Sequence, residues 1–188
     1  MKKIIAIVLT VIMMLALCAC GAKDSGADSD LKYVQDKGTL IVGITDFAPM
    51  DYQDESGEWI GFDADMAKAF AENIGVKVEF VEINWDNKVL ELNAKSIDCV
   101  WNGMTLTDEV KNSMETSKPY CENAQVVVVK AADADKYKDT DSLKDLKFAA
   151  EAGSAGAAEV KKLGLECTEL TTQADALMEV QAGTSDAC

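Results

Sequence analysis

The apolar positions of this chain fall into short runs and stripes whose spacing switches repeatedly between strand and helix. Thr39-Leu-Ile-Val-Gly-Ile44 is a continuous apolar run and predicts a buried strand. A loop follows over 45–61, punctuated by Pro49, Gly57 and Gly61, and loops of this length in compact domains are often functional. Asp63 is placed to cap a helix in which Met66, Ala69, Phe70 and Ile74 recur at helical spacing, with Gly75 as its stop. Residues 76–81 alternate as a strand. Residues 86–94 predict a helix with Val89, Leu90 and Leu92 inward, 97–101 a strand, and 103–107 a short helix. The run Gln125-Val-Val-Val-Val-Lys130 is the most strand-like of all. Beyond a charged connection over 131–141 the rhythm restarts: strand at 148–151, helix at 154–163, strand at 166–170, helix at 172–182. Strands alternating with helices predict right-handed βαβ units and parallel sheets flanked by helices, an α/β fold. The restart near residue 126 predicts two lobes, 31–125 and 126–188.

Composition narrows the function. The chain has 188 residues, 48% hydrophobic and 27% charged, an ordinary globular mixture. Its formal net charge is −15, from 33 acidic residues against 18 basic ones, all of them lysine. A surface so acidic argues against nucleic acid, whose phosphates need clustered Lys or Arg. Histidine is absent, which excludes Ser-His-Asp and Cys-His catalysis and every His-containing zinc site. Arginine is absent too, and with it the usual bidentate clamp for carboxylates. No metal or cofactor is expected. Cys99, Cys121, Cys167 and Cys188 allow three complete pairings, among which sequence does not choose.

The first residues read as an address. Lys2 and Lys3 precede an apolar run, Ile4 to Leu17, too short for a comfortable membrane span. It ends in Leu17-Cys18-Ala19-Cys20, which resembles a bacterial lipobox. That resemblance implies cleavage after Ala19 and lipidation of Cys20, giving a signal peptide over 1–19. Residues 20–30 read as a flexible polar tether.

Several motifs, in order and at consistent distances, resemble one family. Gly38-Thr-Leu-Ile-Val-Gly43 resembles its first strand, and Phe47-Ala-Pro-Met-Asp-Tyr52 its aromatic loop. Gly61-Phe-Asp-Ala-Asp-Met-Ala67, Lys95-Ser-Ile-Asp98 and Asn102-Gly-Met-Thr-Leu-Thr107 resemble its later signatures. Lys118-Pro-Tyr120, Gly153-Ser-Ala-Gly156 and Ala182-Gly-Thr-Ser-Asp-Ala187 complete the set. These are the extracellular solute-binding proteins of ABC importers for polar amino acids, with the two-lobed type II periplasmic-binding-protein fold. Members continue past the last of these motifs, so the resemblance implies a C-terminally truncated chain with an incomplete second lobe.

The resemblance also implies a site. Phe47 and Trp85 would wall the ligand. Asn102, Gly103 and Thr105 would hold its backbone, with Ser154 and Ala155 opposite. Relatives carry an arginine for the ligand carboxylate where Val110 stands here. The carboxylate is therefore expected on N–H groups at helix starts after Thr105 and Ser154. Asp186 matches a structural position. The function implied is an extracytoplasmic, lipid-anchored, monomeric binding protein, not an enzyme. It would capture a polar amino acid or similar zwitterion and deliver it to the permease of an ABC transporter. A membrane sensor's ligand-binding domain is the alternative. A dehydratase on the same fold is a remoter one, since no acid or base with a shifted pKa is evident in the sequence.

Overall fold

A computed structural model describes residues 29–188. The expected signal peptide, Cys20 and most of the tether lie outside the described residues. The chain divides into two units, 1–37 and 38–188. In the first, α1 (Asp30–Lys37) places Asp30 in its first turn and Lys37 in its last, complementing the helix dipole. Lys32 reaches Asp36 one turn on, at 2.6 Å. Asp30, expected as the last residue of the tether, instead opens this helix.

The second unit runs β1 (Thr39–Ile44), β2 (Tyr52–Gln53), β3 (Trp59–Ile60), α2 (Phe62–Asn73), β4 (Lys77–Glu82), α3 (Lys88–Asn93), β5 (Cys99–Val100), α4 (Asp108–Ser113), β6 (Phe148–Glu151), α5 (Ala155–Lys162), β7 (Cys167–Leu170) and α6 (Gln173–Ala182). Short 3₁₀ turns occupy Trp85–Asn87, Ala131–Lys136 and Thr140–Leu143. One parallel sheet has the order β4-β1-β5. A second parallel sheet pairs β6 with β7. The α/β class and the parallel pairing read from the sequence are both present.

β1 is central and covered on both faces: Leu40, Val42 and Ile44 are buried on one, and on the other Gly43 is buried and Ile41 half-buried. The second sheet rests on Leu143, Leu146, Phe148 and Ala187, with Val129, Val160 and Leu165 against them. Each large apolar side chain so buried contributes roughly 1.5–3 kcal/mol. Asp186 pins this core, its Oδ2 accepting from Lys147 N at 2.9 Å. Thr172 and Asp175 form a reciprocal capping box at the start of α6.

Several sequence expectations fail for identifiable reasons. The buried face of α2 is Asp63, Ala64, Ala67 and Ala71, while Met66 and Phe70 are exposed. The small alanines let α2 sit close to its neighbours, so the larger side chains fall outside. Asp63 does not cap the helix: it is fully buried, and its Oδ1 accepts from Tyr120 Oη at 2.7 Å. That bond ties the Lys118-Pro-Tyr120 segment to α2. Leu90 faces solvent rather than inward. The 45–61 segment is not wholly loop, because β2 and β3 form a short hairpin within it. The 125–130 run is not a strand. Only its end finds a partner, where Val128 and Cys188 exchange backbone bonds at 2.9 and 3.0 Å. Val126 is 72% exposed. β-branched composition favours a strand but does not supply the neighbour whose N–H and C=O groups complete a ladder.

Candidate functional site

In the first sheet the chain leaves β1 and returns on both sides of it, at β4 and at β5. Such a switch point opens a crevice beyond the carboxyl ends of the strands, where ligands of α/β proteins bind. The floor of this crevice is fastened by Asn102 and Thr45. Asn102 Oδ1 accepts from Thr45 N at 3.2 Å, and its Nδ2 donates to Thr45 Oγ1 at 2.8 Å. Both residues are buried.

A cleft of about 540 Å³ lies beside this floor. Its walls come from segments that follow strands: Trp85 to Val89 after β4, Met104 to Ser113 after β5, and Gly153 to Lys161 after β6. Pockets that enclose small molecules have this order of volume. The segments meet tightly. Gly153 has φ of +68°, and a Cβ there would lie 2.5 Å from Asp86 Oδ1. Only glycine allows the turn after β6 to approach the turn after β4 so closely. Ser154 caps α5, its Oγ accepting from Ala157 N at 3.1 Å.

Of the residues expected from the sequence, Trp85, Thr105, Ser154 and Ala155 share this cleft. Phe47, Asn102 and Gly103 stand beside it and are not part of its lining. A Cβ on Gly103 would come within 2.9 Å of the Phe47 ring, so these two are packed on each other. The Thr105 hydroxyl accepts from Asn123 Nδ2 at 2.8 Å and Gln125 Nε2 at 3.2 Å, leaving its proton to donate. The helix expected after Thr105 begins only after Thr107 and has 6 residues.

Two charged residues were missed. Lys88 lines the cleft with Nζ 4.8 Å from the centroid of the Trp85 ring. A tryptophan and a lysine three apart on a helical turn is the signal that could have found it. Burial pushes its pKa down, against the charges of Glu109, Asp86 and Glu151, which favour the ammonium. Glu151 closes β6 with 1% exposure. Burial pushes its carboxyl up to about 7, opposed by Gln173, Lys88 and Thr45. It stands behind the wall and is not part of the lining. Away from the cleft, Asp51 is also pushed up to about 7, by burial and by Asp63. Shifted acids therefore exist where none was evident in the sequence. Cys99, Cys121, Cys167 and Cys188 are free thiols. Among the described residues no cluster of His, Cys, Asp or Glu is arranged to hold a metal ion.

Residues 40–186 match the model of the bacterial extracellular solute-binding proteins, family 3. The chain belongs to this family. Among its relatives is the arginine-binding extracellular protein ArtP of Bacillus subtilis, 33% identical over 148 residues, covering 78% of this chain and 53% of the relative. The L-cystine-binding protein TcyJ of Escherichia coli is 33% identical, covering 72% of this chain and 52% of the relative. The chain spans about half the length of these curated relatives. Among solved structures, the ancestral amino acid-binding protein AncCDT-1, a precursor of cyclohexadienyl dehydratase, superposes with a TM-score of 0.81. It shares 37% identity and covers 85% of this chain and 72% of its own. An amino acid ABC transporter substrate-binding protein from Streptococcus pneumoniae, bound to L-arginine, has a TM-score of 0.80 and 36% identity. It covers 85% of this chain and 69% of its own. Family membership fixes the fold class as that of the periplasmic amino-acid-binding proteins. No helix among the described residues is long and apolar enough to cross a membrane.

Proposed function

We propose that this protein captures a polar amino acid in the cleft and delivers it to the permease of an ABC importer. It does so outside the cytoplasm as a monomer held at the cell membrane by lipid on Cys20. Lobe 31–125 supplies Trp85 and Thr105, and lobe 126–188 supplies Ser154 and Ala155. Phe47, Asn102 and Gly103 complete the site from the crevice floor as the lobes move on the ligand. The observation that carries this reading is the convergence of both sheets' post-strand segments on one cleft whose lining combines a tryptophan face with hydroxyl, ammonium and carboxylate groups. An amino acid needs that mixture, because desolvating its two charges is costly unless each meets a partner. Relatives named for arginine, cystine and histidine binding support the ligand class.

The test is a thermal-shift screen of the twenty amino acids and cystine against the purified protein. A ligand at 100 times its Kd adds about 2.7 kcal/mol of stability. The expected result is a raised melting temperature with a small set of polar amino acids. No shift with any of them at millimolar concentration contradicts the reading.

A further inference from the structure

Two cations line the cleft, Lys88 and Lys161. Lys161 has its counter-ion: Nζ lies 2.7 Å from Glu169. Lys88 forms no ion pair among the described residues. Its Nζ donates instead to two backbone carbonyls, Trp85 O at 3.1 Å and Gly153 O at 3.2 Å. These belong to the segments after β4 and after β6, so one ammonium bridges loops of the two sheets. The Trp85 ring, 4.8 Å from Nζ, covers it on a further side. An ammonium carries three donors, and two are used here.

A half-buried cation whose hydrogen-bond acceptors are both neutral carbonyls, with the Glu109, Asp86 and Glu151 charges acting on it only from beyond ion-pair distance, is a group that an incoming anion improves. The partly desolvated surroundings strengthen a charge-assisted bond relative to water. Burial already holds the Lys88 pKa below the ordinary lysine value, and an anion placed against it would reverse that. The first turn of α5 lines the same cleft, and the positive end of its dipole favours the same sign of charge.

We propose that Lys88 receives the carboxylate of the bound ligand through its remaining N–H, and thereby makes the cleft selective for free α-carboxylates. The inference rests on the amino-acid reading above. Lys88 then does two things at once. It joins the two walls through Trp85 O and Gly153 O, and it presents a charge that a carboxamide or an amine cannot use. The anchor sits on the tryptophan face, so the ligand carboxylate is held next to the Trp85 ring.

The test pairs a protein change with a ligand change. Calorimetry measures L-arginine, L-cystine, L-histidine and L-glutamine, and the carboxamide of whichever binds, against the wild type and Lys88→Gln. Glutamine keeps N–H donors for the carbonyls and removes the charge. The wild type should prefer the acid over its carboxamide by about 10- to 100-fold, and Lys88→Gln should lose most of that preference. Lys88→Arg should retain it. Independently, the Lys88 13Cε resonance of the wild-type protein, titrated with and without amino acid, should show a higher pKa in the complex. An unchanged acid-to-amide ratio in Lys88→Gln, or an unmoved Lys88 titration in a protein that binds amino acid, overturns the anchor and leaves the amino-acid reading standing. A wild type that binds none of the four overturns the anchor, and one that binds none of the twenty amino acids or cystine overturns the amino-acid reading as well.

Discussion

Replacing Glu151 by Gln should stabilise the protein, and only at neutral and alkaline pH. Glu151 is 1% exposed, and burial raises its carboxyl from 4.5 to about 7. Below pH 4.5 the group is neutral in both folded and unfolded chains and has no effect on their balance. Between 4.5 and 7 the unfolded chain ionises and the folded one does not, so the unfolded state binds fewer protons and stability falls as pH rises. Above 7 the penalty is constant. At about 1.4 kcal/mol per unit it reaches about 3 kcal/mol. Lys88, Gln173 and Thr45 offset part of the cost of burial, and their effect is already contained in that pKa. Glutamine has nearly the same shape and no charge to bury. Urea unfolding followed by tryptophan fluorescence at pH 4.5, 6 and 8 measures the difference. With a slope of about 2 kcal/mol per molar urea, the midpoint of Glu151→Gln should exceed that of the wild type by about 1.5 M at pH 8 and be nearly unchanged at pH 4.5. Equal midpoints at every pH, or a variant weaker at pH 8, would refute the reasoning. The second result would mean that attraction to Lys88 outweighs desolvation.

Other expectations follow from the same geometry. Gly61 has φ of +114°, and a Cβ there would lie 2.8 Å from Pro49 O, a backbone atom that cannot swing aside. Gly61→Ala should therefore cost about 2–4 kcal/mol, whereas Gly57→Ala, at φ +83° with open space around it, should cost about 1 kcal/mol in the same urea assay. Similar midpoints for the two would remove the steric argument. Trp85→Ala should weaken amino-acid binding by roughly 1–3 kcal/mol by calorimetry, through loss of the ring and of the face that positions Lys88. Cys20→Ala should abolish lipid labelling in cells and release the protein from membranes; persistent labelling would show that another residue carries the lipid.

Strong local signals were legible in the sequence. The apolar run 39–44 is β1 to the residue, and 148–151 is β6, because a buried strand in a parallel sheet needs apolar side chains on both faces. Ser154 and Thr172 are the caps of α5 and α6, as their hydroxyls next to helical stretches allow. Elements decided by partners were less legible. The valines at 126–129 carry strand propensity but lack a ladder, and α2 turns its alanines inward because close approach outweighs side-chain size. The candidate site divides along the same line. Trp85, Thr105, Ser154 and Ala155 meet because each follows a strand end. The spacing of Lys88 from Trp85 marks only their local contact, and its bridge to Gly153 O, 65 residues away in sequence, has no local signal. Glu151 likewise becomes unusual only through burial that no local pattern reports.

The central claim is that amino acid binds between the Trp85 turn and the first turn of α5. Backbone amide chemical shifts of the isotopically labelled protein, titrated with L-arginine and with L-cystine, test it most directly. The account predicts that the largest ligand-dependent changes fall on Trp85, Lys88, Thr105, Ser154 and Ala155, saturating together with a single Kd. Changes confined to a separate hollow lined by Asp46, Tyr52 and Trp59, with the Trp85 and Ser154 signals unmoved, would contradict it.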